Sequence, residues 1–143
     1  MGRNAPSIIN TGYFKKQFWD GRADSLGEQA LVPIMGPTEM DQNLDELVNE
    51  LKSLPYYYRQ FKQVFGVSGV TAENIAKALA TFERSVVSTN SSYDKFHQGD
   101  ASSMSKPAAR GMKIFFGKEQ CNKCHPGPAF TDHNFHNVGL QPL

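Results

Sequence analysis

Residues Cys121, Asn122, Lys123, Cys124 and His125 form a C-x-x-C-H run, and no other segment constrains the chain's possible folds so strongly. Two thiols at this spacing can each add to a vinyl group of one haem, giving two thioethers on the same porphyrin edge. C-x-x-C-H is the attachment signature of c-type haem. The histidine beside the second thioether then offers an imidazole nitrogen to the iron as proximal axial ligand. Cys121 and Cys124 are the only cysteines in the chain, so neither is committed to a disulfide. A fold built on this motif must bring apolar side chains against a large flat ring. Ten Phe, five Tyr and one Trp are available for that, although an ordinary core would use the same residues.

Three other chemistries compete for these residues. Cys121, Cys124, His133 and His136 read as C-x2-C-x8-H-x2-H. Zinc fingers place about twelve residues between the pairs and roughly three to five between the histidines, so both gaps are short for zinc. A thioredoxin-like C-x-x-C needs a βαβ setting, which the surrounding pattern lacks. The third alternative is a pair of inert structural cysteines. Covalent haem accounts best for the whole run.

Charge and length set further bounds. With 15 basic and 14 acidic residues the net charge is +1. No basic stripe interleaves with aromatics, so nothing suggests nucleic acid. No apolar run reaches the length of a membrane span. At 143 residues the chain holds one domain, or one domain with part of another. Met1 to Pro6 carry no apolar stretch and do not form a secretory signal. Attachment of c-type haem takes place outside the cytoplasm, so the expectation is a piece of a longer, periplasmic protein.

The patterning is helical almost throughout. Ser25 and Glu28 form a capping box ahead of Ala30, Leu31 and Ile34, and Pro33 is expected to limit that helix. Leu44, Leu47, Val48, Leu51 and Leu54 fall on one helical face opened by Asn43. Pro55 suits the first turn of the next helix, which bears Tyr57, Tyr58, Phe61, Val64 and Phe65 and stops at Gly66. From about Thr71 to Val87 a longer helix is predicted, with Ile75, Leu79, Phe82 and Val86 as its apolar stripe. Polar, small-residue stretches at 88–92 and 99–103 read as loops. A final helix, capped by Ser105 and ended by Gly117, runs directly into the haem motif, as the first helix of a cytochrome c fold does. The fold class expected is all-α and cytochrome c-like.

Several strings along the chain add up to a family resemblance. Arg3-Asn4-Ala5-Pro6-Ser7, Phe18-Trp19-Asp20-Gly21-Arg22, Glu28-Gln29-Ala30 and Pro37-Thr38-Glu39-Met40 stand in order. Ala80-Thr81-Phe82-Glu83-Arg84, Phe116-Gly117-Lys118, Phe130-Thr131-Asp132 and Phe135-His136-Asn137 follow. Together they resemble the bacterial di-haem cytochrome c peroxidase and MauG family over essentially the whole chain. The resemblance implies parts of two cytochrome c-like domains: 1–90 a remnant of the peroxidatic domain with an interdomain segment, and 91–143 the beginning of an electron-transfer domain. It implies that one haem reacts with hydrogen peroxide. The other takes electrons from a small donor protein, a cytochrome c or a cupredoxin. The C-x-x-C-H at Cys121, Cys124 and His125 matches the second, electron-transferring haem. The peroxide-reactive haem is expected on a segment before Met1, and the sixth ligand of the second haem, Met or Tyr, beyond Leu143.

Residue by residue, the resemblance makes Trp19 the tryptophan that helps electrons pass between the haems. It makes Gln29 and Glu39 the pair over the peroxide-binding haem, where a carboxylate can shuttle protons as a general acid–base. Asn4 matches a residue that helps hold calcium, which needs several oxygen ligands. A homodimer is compatible with this family. The plainer readings are a core Trp19, a solvated Glu39, an exposed Gln29, surface or hydrogen-bonded His97, His133 and His136, and packing methionines at 35, 40, 104 and 112. Three functional classes follow: a di-haem peroxidase present as a partial chain, a MauG-type oxidase of a partner protein, and a mono-haem electron carrier without catalysis.

Overall fold

The computed structural model describes residues 4–139. Among these every regular element is helical, and the one isolated pairing of extended backbone is the antiparallel bridge Gln17–Ala23. The all-α expectation holds. The chain forms two compact units that part between Val87 and Ser88.

The first unit begins with a 3-10 turn at Thr11–Tyr13 and continues with α1 (Leu26–Met35), α2 (Leu44–Ser53), α3 (Pro55–Phe65) and α4 (Ala72–Ser85). Each start follows its capping chemistry. The Ser25 hydroxyl accepts from Glu28 N–H in α1, the Asn43 side chain from Asp45 and Glu46 in α2, and the Thr71 hydroxyl from Asn74 in α4. Such caps satisfy backbone donors that have no partner within the helix. Pro55 opens α3 at its first position, and Gly66, at φ 63°, closes it.

Two expectations about α1 are corrected. The Glu28 carboxylate reaches past Ser25 to the Asp24 N–H at 2.7 Å, so the reciprocal box closes one residue early. Pro33 does not end the helix, which runs on to Met35. The loop that follows supports this last turn, with Met40 N–H donating to Pro33 O and Gln42 N–H to Ile34 O.

The core lies between α1 and α4. Its apolar members are Ala23, Leu26, Ala30, Ile34, Val70, Ile75, Ala76 and Ala80, all 7 % exposed or less. Three of them, Ala30 on α1 and Ala76 and Ala80 on α4, are alanines on the facing helices, so the two can approach closely. This shifts the buried face of α4 from the one expected. Ile75 is buried, but Ala76 and Ala80 accompany it, while Leu79 and Phe82 stand exposed at 39 % and 61 %. A stripe counted by side-chain size favours Leu and Phe, whereas the close contact selects the alanine side. Gly12 lies against this helix too: a Cβ there would sit 3.2 Å from Arg84 Cα. The packing role expected of Met35 and Met40 also fails, since both are exposed.

The second unit contains α5 (Ser92–His97), α6 (Lys106–Phe116) and a 3-10 turn at Cys121–Lys123. α5 was not expected. It is nucleated by a capping box in which Ser91 and Asp94 bond each other's backbone, a signal hidden inside a polar run. Ser105 caps α6 as expected. None of the described side chains in this unit is fully buried.

The register of α4 is open to a direct check. Ile75→Ala should cost about 2–4 kcal/mol in chemical denaturation, the range of a buried large-to-small change. Phe82→Ala should cost under about 1 kcal/mol, as for exposed positions. Equal losses at both sites would contradict this packing.

Candidate functional site

The haem-attachment motif is placed by the end of α6. Gly117 N–H and Glu119 N–H both donate to Ile114 O, and Gln120 N–H donates to Gly117 O, reversing the chain. Gln120 adopts the left-handed region at φ 54°, and the turn Cys121–Lys123 follows. Within it, Cys124 N–H and His125 N–H both donate to Cys121 O, at 3.2 and 3.0 Å. Two free thiols and the imidazole therefore share one tight turn, with Cys121 half-buried and Cys124 exposed.

The loop after the motif sets the chemistry of His125. Its Nδ1 lies 2.9 Å from Phe130 O. A carbonyl only accepts, so Nδ1 carries the proton. In the neutral ring Nε2 then holds the lone pair, which is the form a metal ligand needs. The hydrogen bond also orients the ring toward a metal ligand's role.

Aromatic side chains gather beside it. The Phe115 ring is 6.3 Å from that of His125, 5.1 Å from Phe116 and 5.7 Å from Phe130, and Tyr93 meets Phe130 at 4.8 Å. These rings are only partly buried, and a flat apolar porphyrin would complete their packing. Donor set, tautomer and apolar surroundings thus fit a covalently held haem. Zinc does not fit. Among the described residues no group of three or more His, Cys, Asp or Glu comes together to hold a metal ion, and His136 is hydrogen-bonded to Asp132.

Trp19, Gln29 and Glu39 belong to the first unit. Trp19 sits in the loop closed by the Gln17–Ala23 bridge, where Phe18 has φ 67° and the Arg22 guanidinium lies 3.5 Å from the Phe18 ring centre. Gln17 anchors the loop, buried with its amide donating to Thr11 O and Phe14 O. Trp19 is 62 % exposed and its indole N–H donates to Asn4 O at 2.8 Å. It is therefore not a core residue. Gln29 on α1 has a buried Oε1 that finds no donor among the described residues.

Glu39 is exposed, in the loop that folds back under α1, and its carboxylate lies over Gly36. A Cβ on Gly36 would be 2.8 Å from Glu39 Oε2 and 3.3 Å from Val32 O. Gly36 has an ordinary φ of −64°, so it is the Glu39 side chain and the Val32 carbonyl that leave no room there. Asn4 offers one exposed side chain. Calcium takes about six to eight oxygens, so Asn4 is at most one ligand of such a site.

Sequence reasoning missed the Phe130 carbonyl, because a main-chain acceptor leaves no residue-type signal. It also missed Asp132, whose carboxylate accepts from Asn134 N–H at 2.9 Å and from His136 Nε2 at 2.7 Å. The reading of His136 as a hydrogen-bonded histidine holds.

Comparison with known proteins decides the family. Residues 1–102 match the family described as di-haem cytochrome c peroxidase. The chain belongs to the di-haem cytochrome c peroxidase family. It is 40% identical over 142 residues to the methylamine utilization protein MauG of Methylorubrum extorquens, covering 99% of this chain and 40% of that protein. It is 37% identical over 137 residues to the cytochrome c551 peroxidase of Nitrosomonas europaea, covering 96% of this chain and 41% of that protein. A crystal structure of a MauG-like protein associated with microbial copper homeostasis superposes with a TM-score of 0.78 at 29% identity, covering 97% of this chain and 43% of the other. The chain thus spans about two fifths of the length of the curated relatives it matches. Membership places it among oxidoreductases that use c-type haem. No helix among the described residues is long and apolar enough to cross a membrane.

The loop's acid response follows from Asp132. Hydrogen bonds from the Asn134 backbone and then His136 lower its pKa to about 2 from an ordinary 3.8. A lowered carboxylate stabilises the fold above its ordinary pKa, and that contribution fades as pH falls through the folded value. Amide protection at Asn134 should persist at pH 4 and disappear as the pH approaches about 2. Loss already complete at pH 4 would contradict the contact.

Proposed function

We propose that this chain is part of a periplasmic di-haem enzyme that reduces hydrogen peroxide with electrons from a small cytochrome c or cupredoxin. The observation that carries this reading is the His125 imidazole, protonated at Nδ1 toward Phe130 O and set beside two free thiols. Cys121 and Cys124 would hold the haem by thioethers, with His125 as its axial ligand. Two cysteines hold one haem, so the second haem of a di-haem member would be carried outside these 143 residues. The unit before Ser88 would then contribute to the peroxidatic side, and the unit after it to electron entry. Bound haem supplies the one-electron chemistry.

The remaining roles fall to the protein's own side chains. Reduction of one hydrogen peroxide to two waters consumes two electrons and two protons. Glu39 would take the proton from the first peroxide oxygen and deliver it to the leaving oxygen, a general acid–base role. Exposure suits it, because its carboxylate can reach a partner outside its own loop. Gln29 would assist with its amide, and the unsatisfied buried Oε1 supports a polar partner there. Trp19, exposed and tethered through its ring N–H, would help electrons pass toward the peroxide side. A calcium ion with Asn4 as one ligand would belong to the larger assembly.

A second reading has its own support, since MauG proteins are among the relatives. In that case the electrons would come from a partner protein being oxidised. Whether a reduced small cytochrome or such a partner sustains peroxide consumption separates the two.

Expressed with a c-type haem maturation system, the chain should gain the mass of one haem, and the double change Cys121→Ala with Cys124→Ala should abolish the gain. A colourless wild-type chain would sink the assignment. In the protein with both haems, Glu39→Gln should lower peroxide turnover about 10²–10⁴-fold, the range for loss of a general acid–base. Gly36→Ala, by displacing the Glu39 carboxylate, should lower it by a smaller factor. Unchanged turnover in Glu39→Gln would remove Glu39 from the mechanism.

A further inference from the structure

The Phe130 carbonyl that fixes His125 is a main-chain atom, so its position depends on how the loop around it is anchored. Besides the local turn in which Phe130 N–H donates to Gly127 O at 3.2 Å, three contacts tie the loop down. Thr131 N–H donates to Pro126 O at 3.0 Å, and Asp132 N–H to Cys124 O at 3.3 Å. The second is long for an N–H···O bond, where about 2.9–3.0 Å is usual. The third is the Asp132 carboxylate, which accepts from Asn134 N–H with one oxygen and from His136 Nε2 with the other. This makes Asp132 a junction: its backbone holds the haem-attachment turn and its side chain holds the segment that follows. The Asp132 side chain is 20 % exposed and that of His136 45 %, so the pair is partly shielded from water.

We infer that Asp132 and His136 form a latch that positions His125, keeping the 126–132 loop closed so that the Phe130 carbonyl stays on Nδ1. This rests on the haem assignment at His125. The physical link runs through ligand basicity. A firm Nδ1–H···O=C bond makes the imidazole a stronger donor and favours the more highly charged, oxidised iron. When the latch opens, that bond weakens and the reduction potential rises. His136 therefore acts through the loop and His125, without touching the haem ligand itself.

The test uses the haem-loaded 143-residue chain with two variants. His136→Ala removes the donor, while His136→Gln retains an N–H at a similar reach and lacks any charge. Two quantities are measured: the reduction potential at a fixed pH, and hydrogen exchange at the Thr131 and Asp132 amides. His136→Ala should raise the potential and speed exchange about fivefold, as expected for loss of one hydrogen bond. His136→Gln should return both close to wild type. A potential unmoved in His136→Ala overturns the positioning role, even if exchange quickens. Equal shifts in Ala and Gln variants also overturn it, because a hydrogen bond that glutamine restores would then not be what holds the loop. Should the chain take up no haem, the haem assignment fails on its own evidence from mass. Exchange at Thr131 and Asp132 still reads the latch in that case, and amides unaffected by His136→Ala would refute it.

Discussion

The close contact of α1 with α4 governs what the first unit can present. Alanines at 30, 76 and 80 let the two backbones approach, and interiors packed at crystal-like density tolerate little change in such a seam. Once Ile75, Ala76 and Ala80 fill that seam, Leu79 and Phe82 are left on the outer side of α4. The same seam holds Leu26 and Ile34 inward and thereby fixes the end of α1, from which the Glu39 loop hangs. Gly12 against Arg84 and Asn10 N–H on Val86 O tie the opening segment to the far end of α4. That segment leads through buried Gln17 to Trp19. The three residues proposed for the peroxide side, Trp19, Gln29 and Glu39, therefore stand on one scaffold.

The second unit follows a different logic. It has no fully buried side chain among the described residues, and its local order comes from turns and main-chain hydrogen bonds. Gln120, Phe130 and His133 all have positive φ, a conformation that costs non-glycine residues energy. They cluster around the haem-attachment turn, where backbone geometry must serve the ligand. A large prosthetic group joined to such a segment would supply the apolar core it lacks. The partly covered rings of Tyr93, Phe115, Phe116 and Phe130 are consistent with that.

How much of this the sequence disclosed varied with the kind of signal. Helix starts were legible because capping is local: Ser25, Asn43, Thr71 and Ser105 each do what their residue type suggests. The class of cofactor was legible because thioether chemistry demands a fixed spacing. The buried face of α4 was not, since hydrophobicity ranks Leu79 and Phe82 above Ala76 and Ala80, and only the partner helix decides which side can approach. The persistence of α1 through Pro33 was hidden for a related reason, because the carbonyls at its end are satisfied by residues 40 and 42 of the next loop. α5 escaped notice because its capping box lies in a run of serines that composition alone reads as loop.

The site residues show the same division. Cys121, Cys124 and His125 carry their chemistry in their side chains, and a pattern of residue types reveals them. What makes His125 a competent ligand is the carbonyl of Phe130, whose side chain is irrelevant to that contact. The carbonyl is held by a loop whose closure runs through Asp132 and His136, four residues apart but joined by no helix. A reading by residue type sees in these two an ordinary acid and an ordinary histidine. Their meaning comes from the path of the backbone, which brings Asp132 N–H back onto Cys124 O and His136 back onto the Asp132 carboxylate. The proposed proximal ligand is thus named by the sequence, but its proton and orientation are set by the fold.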